Sequence, residues 1–101
     1  MNKRQRKLLE DNFKVYEDKN ELELEQWTNG GVDMIIYVDK NKDIIEQLQE
    51  YVDNFDIDDE IDLYRQDKSY RDNFRITESV RDFESWIDKM QTIINILKVV
   101  K

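Results

Sequence analysis

The apolar residues of this 101-residue chain follow a period of two in its first third and a period of three to four after Asn41. Residues 21–27, with the sequence ELELEQW, alternate polar and apolar side chains, and residues 32–38 are rich in β-branched and aromatic side chains. Asn29 and Gly30 lie between these runs, and both tolerate the positive φ of a tight hairpin turn. The pattern therefore predicts a β-hairpin.

The residues before the hairpin fit two structures. Phe13–Tyr16 either form a third antiparallel strand, with Glu17–Asn20 as its turn, or end a basic N-terminal helix. An isolated hairpin is marginal in water, so we expect a third strand or a helix that covers the sheet.

The second half of the chain has a helical pattern. Apolar residues recur at intervals of three and four at Ile44, Ile45, Leu48, Tyr51, Val52 and Phe55. Asp39, Asn41 or Asp43 is available to cap this helix. The helical pattern is weaker in residues 58–74, which fit one or two short helices.

The last segment has the clearest amphipathic pattern, with Thr77 as its candidate N-cap. One apolar stripe comprises Val80, Phe83, Trp86, Ile87, Met90, Ile93, Ile94 and Leu97. We therefore predict one α+β domain over residues 1–101. It is an antiparallel β-hairpin or three-stranded meander packed against two to four helices, with a long C-terminal amphipathic helix.

The charge of the chain is unevenly distributed. Residues 10–62 carry eighteen Asp or Glu against four Lys, a net of -14, within a chain whose formal net charge is -8. Such a surface repels nucleic acid and membrane headgroups and attracts cationic partners. The sequence therefore favours a protein partner over direct contact with nucleic acid or a membrane.

The composition disfavours catalysis. The chain has no Cys and no His, which removes thiolate chemistry, disulfides and the commonest general base. Its serines lack an activating motif, and it has no Gly-rich phosphate loop, so we expect neither an enzyme nor a cofactor. The basic start runs into Leu8-Leu9-Glu10-Asp11, and no 18-residue apolar segment follows, so we expect a soluble, cytoplasmic protein.

Two acidic groups resemble metal-binding patterns. Asp39, Asn41, Asp43 and Glu50 match positions 1, 3, 5 and 12 of an EF-hand loop, but Ile44 takes the position that needs Gly. Acids that cap a helix after a strand are the favoured interpretation. The second group, which also lacks the ligand order of a calcium loop, comprises Asp53, Asp56, Asp58, Asp59, Glu60 and Asp62. We predict no metal site.

The glutamates of the predicted hairpin form a regular row. In a strand, Glu21, Glu23 and Glu25 project from one face at intervals of about 6.6 to 6.8 Å. Phosphates of one DNA strand are about 3.4 Å apart, so imitation of DNA needs further acids such as Asp33, Asp39 and the 53–62 group. The alternative is an ordinary solvated sheet face. Trp27 shares the face of the glutamates, and it or Tyr37 offers aromatic contact area for a partner.

A basic stretch follows the acidic half. Arg65, Lys68, Arg71, Arg75 and Arg81 are interleaved with Tyr64, Tyr70 and Phe74. Such a pattern binds nucleic acid or forms ion pairs with the acidic half, and the second interpretation is favoured.

Three strings carry a resemblance to known proteins. Residues 25–34 (EQWTNGGVDM), 55–62 (FDIDDEID) and 70–74 (YRDNF) resemble small acidic proteins carried by phages and plasmids of Gram-positive bacteria. Those strings carry no functional motif. In size, acidity and lack of catalytic residues the chain is also similar in type to anti-CRISPR and anti-restriction proteins, several of which imitate DNA.

These features lead to one hypothesis and two alternatives. The hypothesis is a non-enzymatic inhibitor, encoded by a mobile element, that occludes a basic nucleic-acid-binding protein such as a CRISPR or restriction nuclease. Its predicted partner-binding residues are Glu21, Glu23, Glu25, Trp27, Asp33, Tyr37, Asp56, Asp58, Asp59, Glu60 and Asp62. The first alternative is an adaptor that forms a homodimer or binds a partner through its C-terminal helix. The second is a metal-dependent enzyme at the acidic cluster.

Overall fold

The structure of the chain, a computed structural model, describes residues 1–27, 33–66 and 76–100. For residues 27, 33, 64, 65 and 76–79 it describes the backbone alone. The elements in chain order are α1 (Lys3–Asn12), β1 (Lys14–Glu17), β2 (Glu21–Trp27), β3 (Asp33–Asp39), α2 (Ile44–Asn54), α3 (Ile57–Gln66) and α4 (Ile76–Leu97). Four helices and a three-stranded antiparallel sheet in these ranges confirm the predicted α+β fold.

The sheet is a meander in the order β1-β2-β3, with both pairs antiparallel. The predicted hairpin is confirmed by the pairing of β2 with β3, while its Asn29-Gly30 turn lies outside the described residues. Of the two structures considered for Phe13–Tyr16, the third strand is confirmed and the helix end is wrong, since the basic helix α1 ends at Asn12 and β1 begins at Lys14. Phe13, between them, is buried.

Side-chain caps define where two of the helices begin. In α1, the Asn2 and Gln5 side chains each accept a hydrogen bond from the other residue's backbone N–H, at 2.8 and 3.0 Å respectively. In α2, Asp43 Oδ1 accepts from the backbone N–H of Glu46 at 3.1 Å. Of the three caps proposed for this helix, Asp43 is therefore the one used.

The predicted cap of the last helix is wrong. Thr77 lies inside α4, which begins at Ile76, whereas an N-cap residue has a non-helical backbone. The prediction for residues 58–74 is confirmed in part by α3, because residues 67–75 lie outside the described ranges. The basic and aromatic stretch falls mostly there, although Arg81 is described and exposed.

The apolar stripe of α4 is the centre of the core. Phe83, Trp86, Met90 and Ile94 are fully buried, Ile93 and Leu97 nearly so, and Val80 and Ile87 are partly buried. The seven residues other than Val80 join one cluster with side chains from α1, α2, α3 and the inner sheet face, and α4 contacts each of the other three described helices. The stripe is thus used within the chain itself. No helix in the described ranges is both long and apolar enough to cross a membrane.

The Lys89 side chain of α4 contacts both the sheet and the end of α1. Its ammonium group donates hydrogen bonds of 2.5 Å to the backbone oxygen of Asn12 and to Gln26 Oε1, and it lies 4.6 Å from the centroid of the Phe13 ring. Partial burial lowers the pKa of Lys89. These contacts connect the end of α1 and β2 to α4. On the opposite face of the sheet, which we call the open face, Tyr16 and Tyr37 are exposed over the described part of the chain.

Candidate protein-binding surface

The alternation of β2 sends its leucines and glutamates to opposite faces of the sheet. Leu22 and Leu24 are buried in the core, whereas Glu21 is exposed and Glu23 and Glu25 are half-buried on the open face. The predicted row of glutamates is therefore present. Because β2 is the central strand, this row runs along the middle of the open face.

Two tyrosines flank the central glutamate of the row. Glu23 pairs with Tyr16 of β1 on one side and with Tyr37 of β3 on the other. These tyrosines are 52% and 60% exposed, which is high for aromatic side chains on a sheet. The open face therefore combines negative charge with accessible aromatic area.

The electrostatic effect of the row is visible at Tyr37. Its hydroxyl group hydrogen-bonds to Glu23, and this bond, with the negative charge of Glu23, is the main reason that the pKa of Tyr37 is raised. The charges of Glu21 and Glu25 raise it further. All three carboxylates thus act on one phenol, because each of them favours its protonated form.

A second acidic feature lies beside β3. A groove of about 440 Å³ separates β3 from α2 and α3. It is lined by Ile36, Tyr37, Gln47, Glu50, Tyr51, Asn54, Phe55, Asp56, Asp59 and Glu60. Four of these are acids, and the lining drawn from the described residues includes no lysine or arginine. We call this feature the acidic groove.

Helix capping explains part of the acid content of the groove. Asp56 Oδ1 accepts hydrogen bonds from the backbone N–H groups of Asp58 and Asp59, at 2.9 and 3.3 Å, and so caps α3. Acids in the first turn of a helix are also favoured by the helix dipole. Asp56 therefore has a structural role as well as a place in the groove.

Glu60 also lies in the first turn of α3, but unlike Asp58 and Asp59 it is not fully exposed. It is half-buried in the groove, and burial, together with the neighbouring charge of Asp59, raises the pKa of Glu60. A raised pKa means that the ionised form is disfavoured in this position. A cation that enters the groove would relieve this unfavourable environment.

Tyr37 connects the two acidic features. It lines the groove, and it also lines a shallow depression of about 160 Å³ on the open face together with Tyr16, Glu17, Asp18, Glu21 and Glu23. Glu21 and Glu23 of the row, and Asp56, Asp59 and Glu60 of the groove, therefore line two cavities that share the Tyr37 side chain. We call the surface formed by the open face and the groove the acidic face.

The remaining predicted residues are placed less closely. Asp58 and Asp62 are exposed on α3 and do not line the groove. Trp27 and Asp33 pair through their backbones at the turn end of the hairpin, and their side chains lie outside the described part of the chain. The structure thus brings Tyr37 together with Glu21, Glu23, Asp56, Asp59 and Glu60.

Sequence reasoning missed three polar residues of the groove. Gln47, Glu50 and Asn54 lie at intervals of three and four on α2, so they share one helix face. In the sequence, the recurrence of these polar residues beside the apolar stripe of α2 was the signal that could have identified this helix face. Glu50 was instead considered as the last ligand of an EF-hand-like loop.

Asp39 and Asp43 of the EF-hand-like pattern accept backbone hydrogen bonds from Asn41 and Glu46. No group of three potential metal ligands occurs in the ranges described.

Between residues that the structure describes, the ion pairs involve none of the acids of the acidic groove. Arg6 and Lys40 both bind Glu17, at 3.0 and 3.1 Å, and these bonds lower the pKa of Glu17. Two further pairs lie within α1. Arg6 of α1 and Lys40, which directly follows β3, therefore neutralise Glu17 at the end of β1 rather than an acid of the groove.

No protein-family model, curated protein or solved structure matches the chain.

Proposed function

We propose that the protein is a non-enzymatic inhibitor that binds a basic, nucleic-acid-binding protein and occludes its nucleic-acid site. The partner is a defence nuclease of the CRISPR or restriction type in a host cell's cytoplasm, and the inhibitor is encoded by a phage or plasmid. The observation that carries the proposal is the convergence of two acidic features on Tyr37.

The density of charge supports this proposal. The glutamate row alone, with a spacing of about 6.6 to 6.8 Å, is sparser than the phosphates of one DNA strand at about 3.4 Å. Glu50, Asp56, Asp59 and Glu60 extend the acidic face beside β3 and add charge to that row. A partner surface that binds DNA phosphates would therefore meet more carboxylates on the acidic face than the glutamate row alone provides.

The energetics at Glu60 also favour a cationic partner. Burial and the charge of Asp59 make the ionised form of Glu60 unfavourable in the free protein. An arginine or lysine that enters the groove would stabilise that form and so contribute to binding. Long-range attraction between the acidic face and a basic surface would also accelerate association, and salt would weaken this effect.

The exposed aromatic area supplies a complementary contribution. Tyr37 is 60% exposed at the junction of the row and the groove. Tyrosine is enriched among interface residues that contribute most to affinity, because it buries a large rigid surface and retains a hydrogen-bonding group. We assign it the role of the contact residue at the centre of the interface.

The adaptor alternative has less support. It requires the apolar stripe of α4 as a binding surface, and Phe83, Trp86, Met90 and Ile94 of that stripe are fully buried in the core of the chain itself. A partner helix would have to displace this packing.

A binding assay with charge reversal tests the proposal. Immobilised protein should capture a Cas9-type or restriction nuclease, and capture should decrease as salt rises. The Glu21→Lys/Glu23→Lys variant should lose most of this capture. The control variant Glu84→Lys/Asp88→Lys makes the same change in net charge at two exposed positions of α4. Capture that ignores salt, or that both variants reduce equally, would contradict the proposed interface.

A further inference from the structure

The outer edge of β3 presents backbone groups that point away from the sheet. The backbone oxygen of Glu21 accepts from Asp18 N at 3.1 Å, toward β1, and Lys40 N donates to Asn20 O at 2.8 Å. In an antiparallel ladder the direction of these groups alternates along the strand. The N–H and C=O groups of Ile35, Tyr37 and Asp39 therefore point outward from β3.

A side chain occupies this edge at Asp39. Asp39 N donates to Gln47 Oε1 at 2.8 Å, and Gln47 Nε2 donates to Asp39 O at 2.9 Å. The amide of Gln47 thus forms the pair of hydrogen bonds that a neighbouring strand would form. Over the ranges that the structure describes, Ile35 and Tyr37 have no such partner for their outward backbone groups.

The acidic groove adjoins Gln47 and continues along the β3 edge beyond the paired residue Asp39. Its walls are Ile36 and Tyr37 of β3 on one side and Gln47, Glu50 and Asn54 of α2 on the other. The unpaired part of the strand edge and four carboxylates therefore border the same space. Backbone pairing and positive charge are the two properties that a ligand of this space would combine.

We propose that the β3 edge receives an extended segment of the partner protein as a fourth, antiparallel strand, with lysine or arginine at every second position. Residues opposite Ile35 and Tyr37 would exchange backbone hydrogen bonds with them and place their side chains on the open face. The residue between them, opposite Ile36, would direct its side chain into the groove. That is the position where a cationic group meets Glu50, Asp59 and Glu60.

The charge of the groove argues against a second copy of this chain as the occupant. Pairing of two β3 edges would bring two acidic grooves together, and like charges in close contact are unfavourable. The occupant is therefore a segment of a basic partner. This strand-addition site rests on the proposed function, because both use the acidic face.

Three peptides test the site on the unaltered protein. The probe is a capped peptide of alternating threonine and lysine, long enough to span β3. In the second peptide, the threonines that face Ile35 and Tyr37 carry N-methyl groups, which remove the backbone donors. In the third, the lysines carry N-methyl groups on backbone nitrogens that point away from β3. All three peptides have the same charge.

The expected result is a selective loss of affinity. Methylation of the threonines should weaken binding roughly tenfold or more, because two hydrogen bonds are lost, whereas methylation of the lysines should change it little. Bound probe should also slow hydrogen exchange at the Ile35 and Tyr37 amides. The Ile36 amide, which points toward β2, should exchange slowly with and without the peptide.

The other outcomes distinguish failure of the strand-addition site from failure of the proposed function. If threonine methylation does not weaken binding more than lysine methylation, or if no probe binds while the nuclease is captured, strand addition is refuted and electrostatic occlusion stands. If the probe binds selectively but no nuclease is captured, the proposed function fails and the edge site stands. A dimer that protects the Ile35 and Tyr37 amides without peptide would make a second copy the occupant, against the proposal.

Discussion

Replacement of Tyr51 by phenylalanine should destabilise the protein through the core rather than through its surface. Tyr51 lines the acidic groove, and its hydroxyl oxygen accepts a 2.9 Å hydrogen bond from Trp86 Nε1. Trp86 is fully buried and also contacts the ring of Tyr51 edge to face, with centroids 6.5 Å apart. The substitution keeps the ring contact and removes the acceptor.

The magnitude follows from the burial of the indole. A buried donor that loses its partner costs about 1 to 3 kcal/mol, because it is also shielded from water. For a domain of this size each kcal/mol corresponds to a fall in Tm of roughly 4 to 8 °C. Urea denaturation followed by tryptophan fluorescence gives the free energy of unfolding, and an unchanged slope with urea would show that the unfolded state is unaffected.

Tyr16→Phe is the matched control. Tyr16 is 52% exposed on the open sheet face, so loss of its hydroxyl group should change the free energy of unfolding by less than about 0.5 kcal/mol. If the two variants are equally stable, the hydrogen bond between Tyr51 and Trp86 does not stabilise the core.

Three further substitutions test the caps and the charges. Asp43→Ala removes the N-cap of α2 and should lower the free energy of unfolding by about 1 kcal/mol in denaturant titrations. Because the pKa of Glu60 is raised above its ordinary value of 4.5, the native state loses stability as pH rises from 4.5 through that raised pKa. Glu60→Gln should therefore flatten this loss in denaturation measured across pH, and an unchanged profile would contradict the burial of a charged Glu60. Glu23→Gln should lower the pKa of Tyr37, measured by NMR titration of its ring carbon, since Glu23 is the main cause of the increase.

The sequence was most informative where the pattern is local and periodic. Alternation in β2 predicted that Leu22 and Leu24 face the core and that the glutamates face outward, because a strand turns successive side chains to opposite faces. The stripe of α4 predicted its buried side in the same way. Burial of one face fixes these patterns, and the prediction needs no knowledge of what the face packs against.

The acidic groove depends on contacts that are distant in sequence or not periodic. The Gln47 amide binds the backbone of Asp39, eight residues earlier, and this contact fixes α2 beside the β3 edge. The spacing of Glu50 fits both the polar face of α2 and the last position of a calcium loop, so spacing alone does not place this residue in the groove. The start of α4 was also misplaced, because Thr77 is a residue type favoured at caps but lies inside the helix.

We propose that the acidic face around Tyr37 binds the nucleic-acid site of a basic partner protein. The most direct measurement is competition: fluorescently labelled DNA is bound to a Cas9-type or restriction nuclease, and its displacement by this protein is followed at several salt concentrations. We expect the wild-type protein and the Glu84→Lys/Asp88→Lys control to displace the DNA, and the Glu21→Lys/Glu23→Lys variant not to displace it. Rising salt should weaken the competition. Failure of the wild-type protein to displace the DNA at low salt, or equal displacement by Glu21→Lys/Glu23→Lys, would contradict it.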